Sequence, residues 1–140
     1  MPADFYIDKN RKVVFSKAVT PFTYDDAYGH MERLKADPEF SDSFNQLWDL
    51  CEISAPHLTR EDVGRLSKVA VFSPQSKRAF LVEADWQYGY ARMFGILRDI
   101  EGETGIRVFR ESKEALAWLG LTSGPDPALF LNLRSVSEKA

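Results

Sequence analysis

The sequence predicts an α/β domain whose central strands run parallel, and three observations predict it. First, the apolar run Arg78-Ala79-Phe80-Leu81-Val82-Glu83-Ala84 leads into a helical stretch from Asp85 to Glu103, then into a second run, Ile106-Arg107-Val108-Phe109, and a short helix from Ser112 to Leu119. Strands separated by a whole helix pair in parallel, since only a hairpin turns the chain straight back. Second, two short strands open the chain. Third, helix-capping signals at Thr23 and Thr59 punctuate the region between. Strands and helices in alternation define the class.

Taken in order, Asp4–Asp8 and Lys12–Val19 read as strands joined by the turn Lys9-Asn10-Arg11, with Asn10 suited to a left-handed conformation. Thr23 caps a helix, and Asp26 three positions on favours its exposed amides. Tyr24, Ala27, Tyr28, Met31 and Leu34 recur at helical spacing and predict its buried face, and Asp37-Pro38 stops it. Phe44–Leu50 is a third strand, with 44, 48 and 50 on one face and Leu47 on the other. Thr59 opens a second helix that turns Val63, Leu66, Val69 and Ala70 inward.

In the long helix, Trp86, Tyr90, Met93, Leu97 and Ile100 form a stripe at alternating spacings of four and three, the expected contact with the sheet. Gly89 flanks that stripe and would permit close approach. Tyr88, Arg92, Gly95 and Asp99 fall on the other side. Pro125 and Pro127 mark the following segment as non-helical. The expected organisation is one domain over residues 1–120 and a tail over 121–140, whose run Leu129–Leu133 would pack on the domain or on a second subunit.

Composition narrows the function. A chain of 140 residues can bury a core, and 44% hydrophobic with 28% charged residues is ordinary for a globular protein. A net charge of −3 argues against nucleic acid as a partner. The single cysteine, Cys51, excludes an internal disulfide and fits a reducing cytoplasm. The start, Met1-Pro2-Ala3-Asp4, lacks a signal-peptide pattern, and no apolar run approaches the roughly 20 residues of a membrane span.

No catalytic, metal or cofactor site is expected. Cys51, His57 and Asp49 are the residue types of thiol catalysis, but strand geometry gives no reason for His57 to return to Cys51. His30 has Asp26 and Glu32 nearby, which an exposed polar helix face explains. Gly102-Glu103-Thr104-Gly105 lacks the lysine and following helix of a phosphate loop. The aromatic cluster has the better case. Apolar side chains at the start of a helix, beyond the carboxyl ends of parallel strands, are where ligand crevices form. Trp86, Tyr88, Tyr90, Arg92 and Phe94 are therefore the candidate ligand-binding residues, with Arg92 suited to an acidic head group. Basic residues around the second helix, Arg60, Arg65, Lys68, Lys77 and Arg78, would suit an anionic membrane surface or a solvated face.

Phe44–Leu50, the run Tyr88-Gly89-Tyr90-Ala91-Arg92-Met93, and the close from Arg107-Val108-Phe109-Arg110 through Glu114–Leu119 together resemble the bacterial SpoIIAA-like family, related to the STAS domain. The likeness runs from about Phe5 to Leu119. It implies a single-domain, mixed but largely parallel sheet of four or five strands with helices packed on it. It also implies a non-enzymatic binding or regulatory protein that takes an apolar small molecule or lipid, or touches a membrane peripherally. A homodimer or protein-interaction module is the alternative. Anti-sigma-factor antagonists carry a phosphorylated serine in an Asp-Ser-Ser-Gly type turn. Here the strand ends Asp49-Leu50-Cys51-Glu52-Ile53-Ser54, so that role does not pass to Ser54.

Overall fold

The opening hairpin pairs β1 (Ala3–Asp8) with β2 (Val13–Val19) antiparallel, from Ala3 opposite Ala18 to Asp8 opposite Val13. The computed structural model describes residues 2–121. In the connecting turn, the Asp8 carboxylate accepts from the Arg11 amide (3.0 Å) and Nε (2.7 Å). That closes the turn over Asn10, and the left-handed residue is Lys12 instead, with φ of 57°.

The chain then alternates through α1 (Tyr24–Ala36), β3 (Asn45–Glu52), α2 (Arg60–Leu66), β4 (Arg78–Leu81), α3 (Asp85–Ile100), β5 (Ile106–Phe109) and α4 (Ser112–Trp118). The sheet has five strands in the order β1-β2-β3-β4-β5, and every pair after the hairpin is parallel. Both expected caps form as reciprocal boxes: Thr23 with Asp26, and Thr59 with Asp62.

Each of the three crossovers moves one strand further in the same direction. With the usual right-handed connection, that puts α1, α2 and α3 on the same face. The strand residues beneath them are Val14, Ser16 and Ala18 on β2, Gln46, Trp48 and Leu50 on β3, and Arg78 and Phe80 on β4. The opposite face carries Val13, Phe15, Leu47, Ala79 and Phe109, with Ala115 from α4 and Leu119 just after it packed there. Leu121, the first residue of the expected tail, is buried in that cluster. The rest of the expected tail, including Leu129–Leu133, lies outside the described residues.

Several faces differ from expectation. In α3 the buried positions are Gln87, Ala91, Phe94 and Arg98, one residue round from the aromatic stripe. Trp86, Tyr90 and Met93 are half-buried at its edge, and Ile100 is 75% exposed. The cause is polar: Gln87 and Arg98 both make buried hydrogen bonds, which the apolar pattern ignores. The close approach falls accordingly at Gly95, where a Cβ would lie 3.2 Å from Ile106 on β5, while Gly89 is open on the outer side. In α1 it is His30, not Tyr28, that turns inward with Ala27 and Leu34. The second helix ends at Leu66, so Val69 and Ala70 lie beyond it and Ala70 is exposed. Among the described residues, no helix is long and apolar enough to cross a membrane.

Candidate functional site

Between the helical layer and the sheet lies a cavity of about 110 Å³. Its sheet wall is Gln46, Trp48 and Leu50 on β3 with Arg78 and Phe80 on β4. Ala27, His30, Met31 and Leu34 close it from α1, Val63 and Leu66 from α2, and Trp86, Gln87, Tyr90, Ala91 and Phe94 from α3. The lining is overwhelmingly apolar, as small-molecule sites are. A cavity of comparable size lined only by hydrocarbon side chains stays dry and accepts a single aromatic ring.

Burial grades along the cavity. Pro56 and His57 are exposed, and Leu50, Leu58, Trp86 and Tyr90 are half-buried, so the entrance lies at the carboxyl ends of β3 and β4. At the other end, where β3 and β4 begin, Gln46, Phe72 and Arg78 are buried. From Leu50 back to Gln46 the strand rises about 13 Å, at about 3.3 Å per residue. The lining therefore runs from the open carboxyl ends of the two strands to their buried beginnings.

Gln87 shapes the entrance. Its Oε1 accepts from the amides of Glu83 (2.7 Å) and Ala84 (3.0 Å), capping α3, whose N-cap residue Ala84 has no polar side chain. Its Nε2 donates to the Ile53 carbonyl at 2.8 Å, tying the first turn of α3 to the loop that carries Pro56, His57 and Leu58. A backbone bridge between Thr23 and His57 holds the same loop to the start of α1.

The inner end is polar and connected. Arg98 donates to Glu103 Oε1 (2.8 Å) and to the Ser67 carbonyl (2.9 Å). Arg78 donates through Nη1 to both Glu103 oxygens (3.2 and 3.1 Å) and through Nε to Gln46 Oε1 (3.0 Å). Gln46 Nε2 then donates to Ser16 Oγ (3.0 Å), which leaves the serine hydrogen for His30 Nε2 at 3.0 Å. Burial, reinforced by the positive charges of Arg33 and Arg78, pushes His30 down to about 3. It is a neutral ring. Phe72, Phe80 and Phe94 surround the Arg78 guanidinium at 4.5, 5.4 and 5.7 Å from their centroids.

Of the five candidate residues, Trp86, Tyr90 and Phe94 line the cavity. Tyr88 and Arg92 are exposed outside its wall, since each helical step turns a side chain by about 100°. The Arg110 guanidinium sits 5.0 Å over the Tyr88 ring. His30 is not on an exposed polar face, and among the described residues no cluster of His, Cys, Asp and Glu could hold a metal. Cys51 is pushed up to about 12, first by burial and then by the carboxylate of Asp49, so it stays a thiol at neutral pH. His57 has its Nδ1 3.1 Å from the Ala55 carbonyl. Sequence reasoning missed Gln46, Glu103 and Gln87, and it placed Arg78 with the basic residues of a membrane-facing or solvated surface, whereas Arg78 is 4% exposed and lines the cavity. The available signal was the alternation Gln46-x-Trp48 and Arg78-x-Phe80, which places a polar residue on the same strand face as a core aromatic.

No protein-family model, curated protein or solved structure matches this chain.

Proposed function

We propose that this protein is a non-enzymatic binding module of SpoIIAA-like type that takes a small apolar or amphipathic molecule into the cavity beneath α1, α2 and α3. The observation that carries the reading is the cavity itself, with a lining apolar almost throughout and an entrance at the strand carboxyl ends. The antiparallel first strand followed by a parallel run, with helices packed on it, supports the STAS-like part. The single free cysteine supports a reducing cytoplasm as its place of work. Burying about 250 Å² of ligand hydrocarbon is worth about 6 kcal/mol gross. Lost translational and rotational freedom reduces that, so micromolar to millimolar affinity is expected.

Native mass spectra after incubation with a lipid extract test the reading. A retained adduct that Ala91→Leu abolishes is the expected result, and bare protein mass alone contradicts it. Peripheral membrane contact is tested by flotation with neutral and anionic liposomes, and a protein that floats with neither refutes that version. A second reading is a homodimeric interaction module, favoured by Ile96 and Ile100, 49% and 75% exposed one turn apart on α3. Light scattering that returns the monomer mass at every concentration rules it out.

A further inference from the structure

The inner end of the cavity carries an unbalanced charge. Two guanidiniums, Arg78 and Arg98, share the one carboxylate of Glu103, and all three are nearly fully buried. His30, linked to the same network, is neutral and adds nothing to either side. The sum is one positive charge in excess. A buried charge without a partner is costly, and native structures rarely leave one uncompensated.

The unspent donors are on the same group. Arg78 is 4% exposed and forms part of the cavity wall, and its Nε and Nη1 are committed to Gln46 and Glu103. Its Nη2 has no acceptor among the described residues, although no fully buried side-chain nitrogen or oxygen there lacks a partner. Nη2 is therefore the accessible corner of an otherwise occupied guanidinium. Burial pulls Arg78 below its ordinary value and Glu103 pulls it back up, and an arginine remains charged under both influences.

Resting on the binding function proposed above, we infer that the cavity selects an apolar monocarboxylate, whose carboxylate seats on Arg78 Nη2 and whose hydrocarbon runs past Phe80, Phe94 and Trp48 toward Trp86. A single negative charge balances the excess. A phosphate dianion would overshoot it, and a neutral ligand would leave it. The cavity of about 110 Å³ holds about six carbons, and the rest of an eight-carbon chain extends through the open entrance beside Trp86 and Leu50. Guanidinium–carboxylate contacts are among the strong charge-assisted hydrogen bonds, and the surrounding rings exclude the water that would weaken them.

Isothermal titration with octanoate and with 1-octanol separates the charge from the tail. Octanoate is expected to bind at least about tenfold tighter, a difference of about 1.4 kcal/mol. In Arg78→Met the remaining Arg98–Glu103 pair is neutral, so this variant keeps a balanced cluster and should lose the preference while still binding the alcohol. Octanol binding as tightly as octanoate in the natural protein overturns the carboxylate inference and leaves the cavity's binding role intact. A preference that survives in Arg78→Met overturns the role of Arg78. Failure of both compounds to bind at millimolar concentration overturns the binding function as well. Should Arg78→Met not fold, Arg78→Lys, which keeps the charge but not the fork of donors, is expected to weaken octanoate more than octanol, and an equal loss for both overturns the role of the guanidinium fork.

Discussion

The two faces of the sheet are both buried, yet they are built differently. Beneath α4 the strand residues are Val13, Phe15, Leu47, Ala79 and Phe109, a layer filled by side-chain volume, with one buried cation, Lys17 on the same face of β2, paired with Glu52. Beneath α1–α3 the same strands present Ser16, Gln46 and Arg78 beside Trp48 and Phe80, with Glu103 and His30 completing a polar chain. Apolar residues of similar volume at those positions would serve stability as well or better, since burying ion pairs rarely gains anything net. What the helix-covered face gains instead is a cavity with a polar end. Departures from the stablest local choice tend to mark function.

The strongest way to break this contrast is to unbalance the polar end. Glu103→Gln removes the only carboxylate between two buried guanidiniums and should cost about 3–5 kcal/mol in urea denaturation. A loss below about 1 kcal/mol would mean that water already reaches the cluster. Phe15→Ala on the opposite face should cost about as much through lost packing, but without changing the salt dependence of stability.

Acid should act on the helix-covered face next. His30 has its folded pKa near 3, below the ordinary 6.5, so the unfolded chain takes up the proton first as pH falls. Stability from this group is intact above about pH 6.5 and declines toward pH 3, by about 2 kcal/mol between pH 7 and 5. His30→Leu should flatten that part of the profile, and an unchanged slope would place the titration elsewhere.

Filling tests the cavity directly. Ala91 lines it and Ala79 sits in the opposite layer. Ala79→Leu should cost about 1–3 kcal/mol by overpacking, while Ala91→Leu should cost less than about 1 kcal/mol because space is present. Equal losses would contradict the difference in packing. The smallest effect concerns the orientation of α3. Gly89→Ala, on the open side, should stabilise by about 0.5–1 kcal/mol. Gly95→Ala should gain less, because its methyl group meets Ile106.

Much of the frame was legible from the chain because its signals are local. Thr23 and Thr59 cap helices through carboxylates three residues on, and the β4-α3-β5-α4 unit reads from apolar runs and helix length. The turn of α3 was not. Its aromatic stripe outweighs Gln87 and Arg98 on any hydrophobic scale, yet these two have buried partners, Ile53 and Glu103, that decide which side faces in. The polar end of the cavity was illegible for a related reason. Ser16, Gln46, Arg78 and Glu103 each look like ordinary surface residues, and only the parallel register that sets Gln46 beside Arg78 brings them together. Of the expected binding residues, Trp86, Tyr90 and Phe94 line the cavity because they share the inner half of α3, and Tyr88 and Arg92 lie on the outer half.

The most direct measurement is a proton–nitrogen correlation spectrum recorded while octanoate is added. Binding inside the cavity predicts saturable shifts at the indole N–H signals of Trp48 and Trp86 and at the amides of Phe80, Ala91 and Phe94, with Trp118 on the opposite face unmoved. Shifts confined to Tyr88, Arg92 or α4, or no saturable shift at all, would contradict a binding site beneath the three helices.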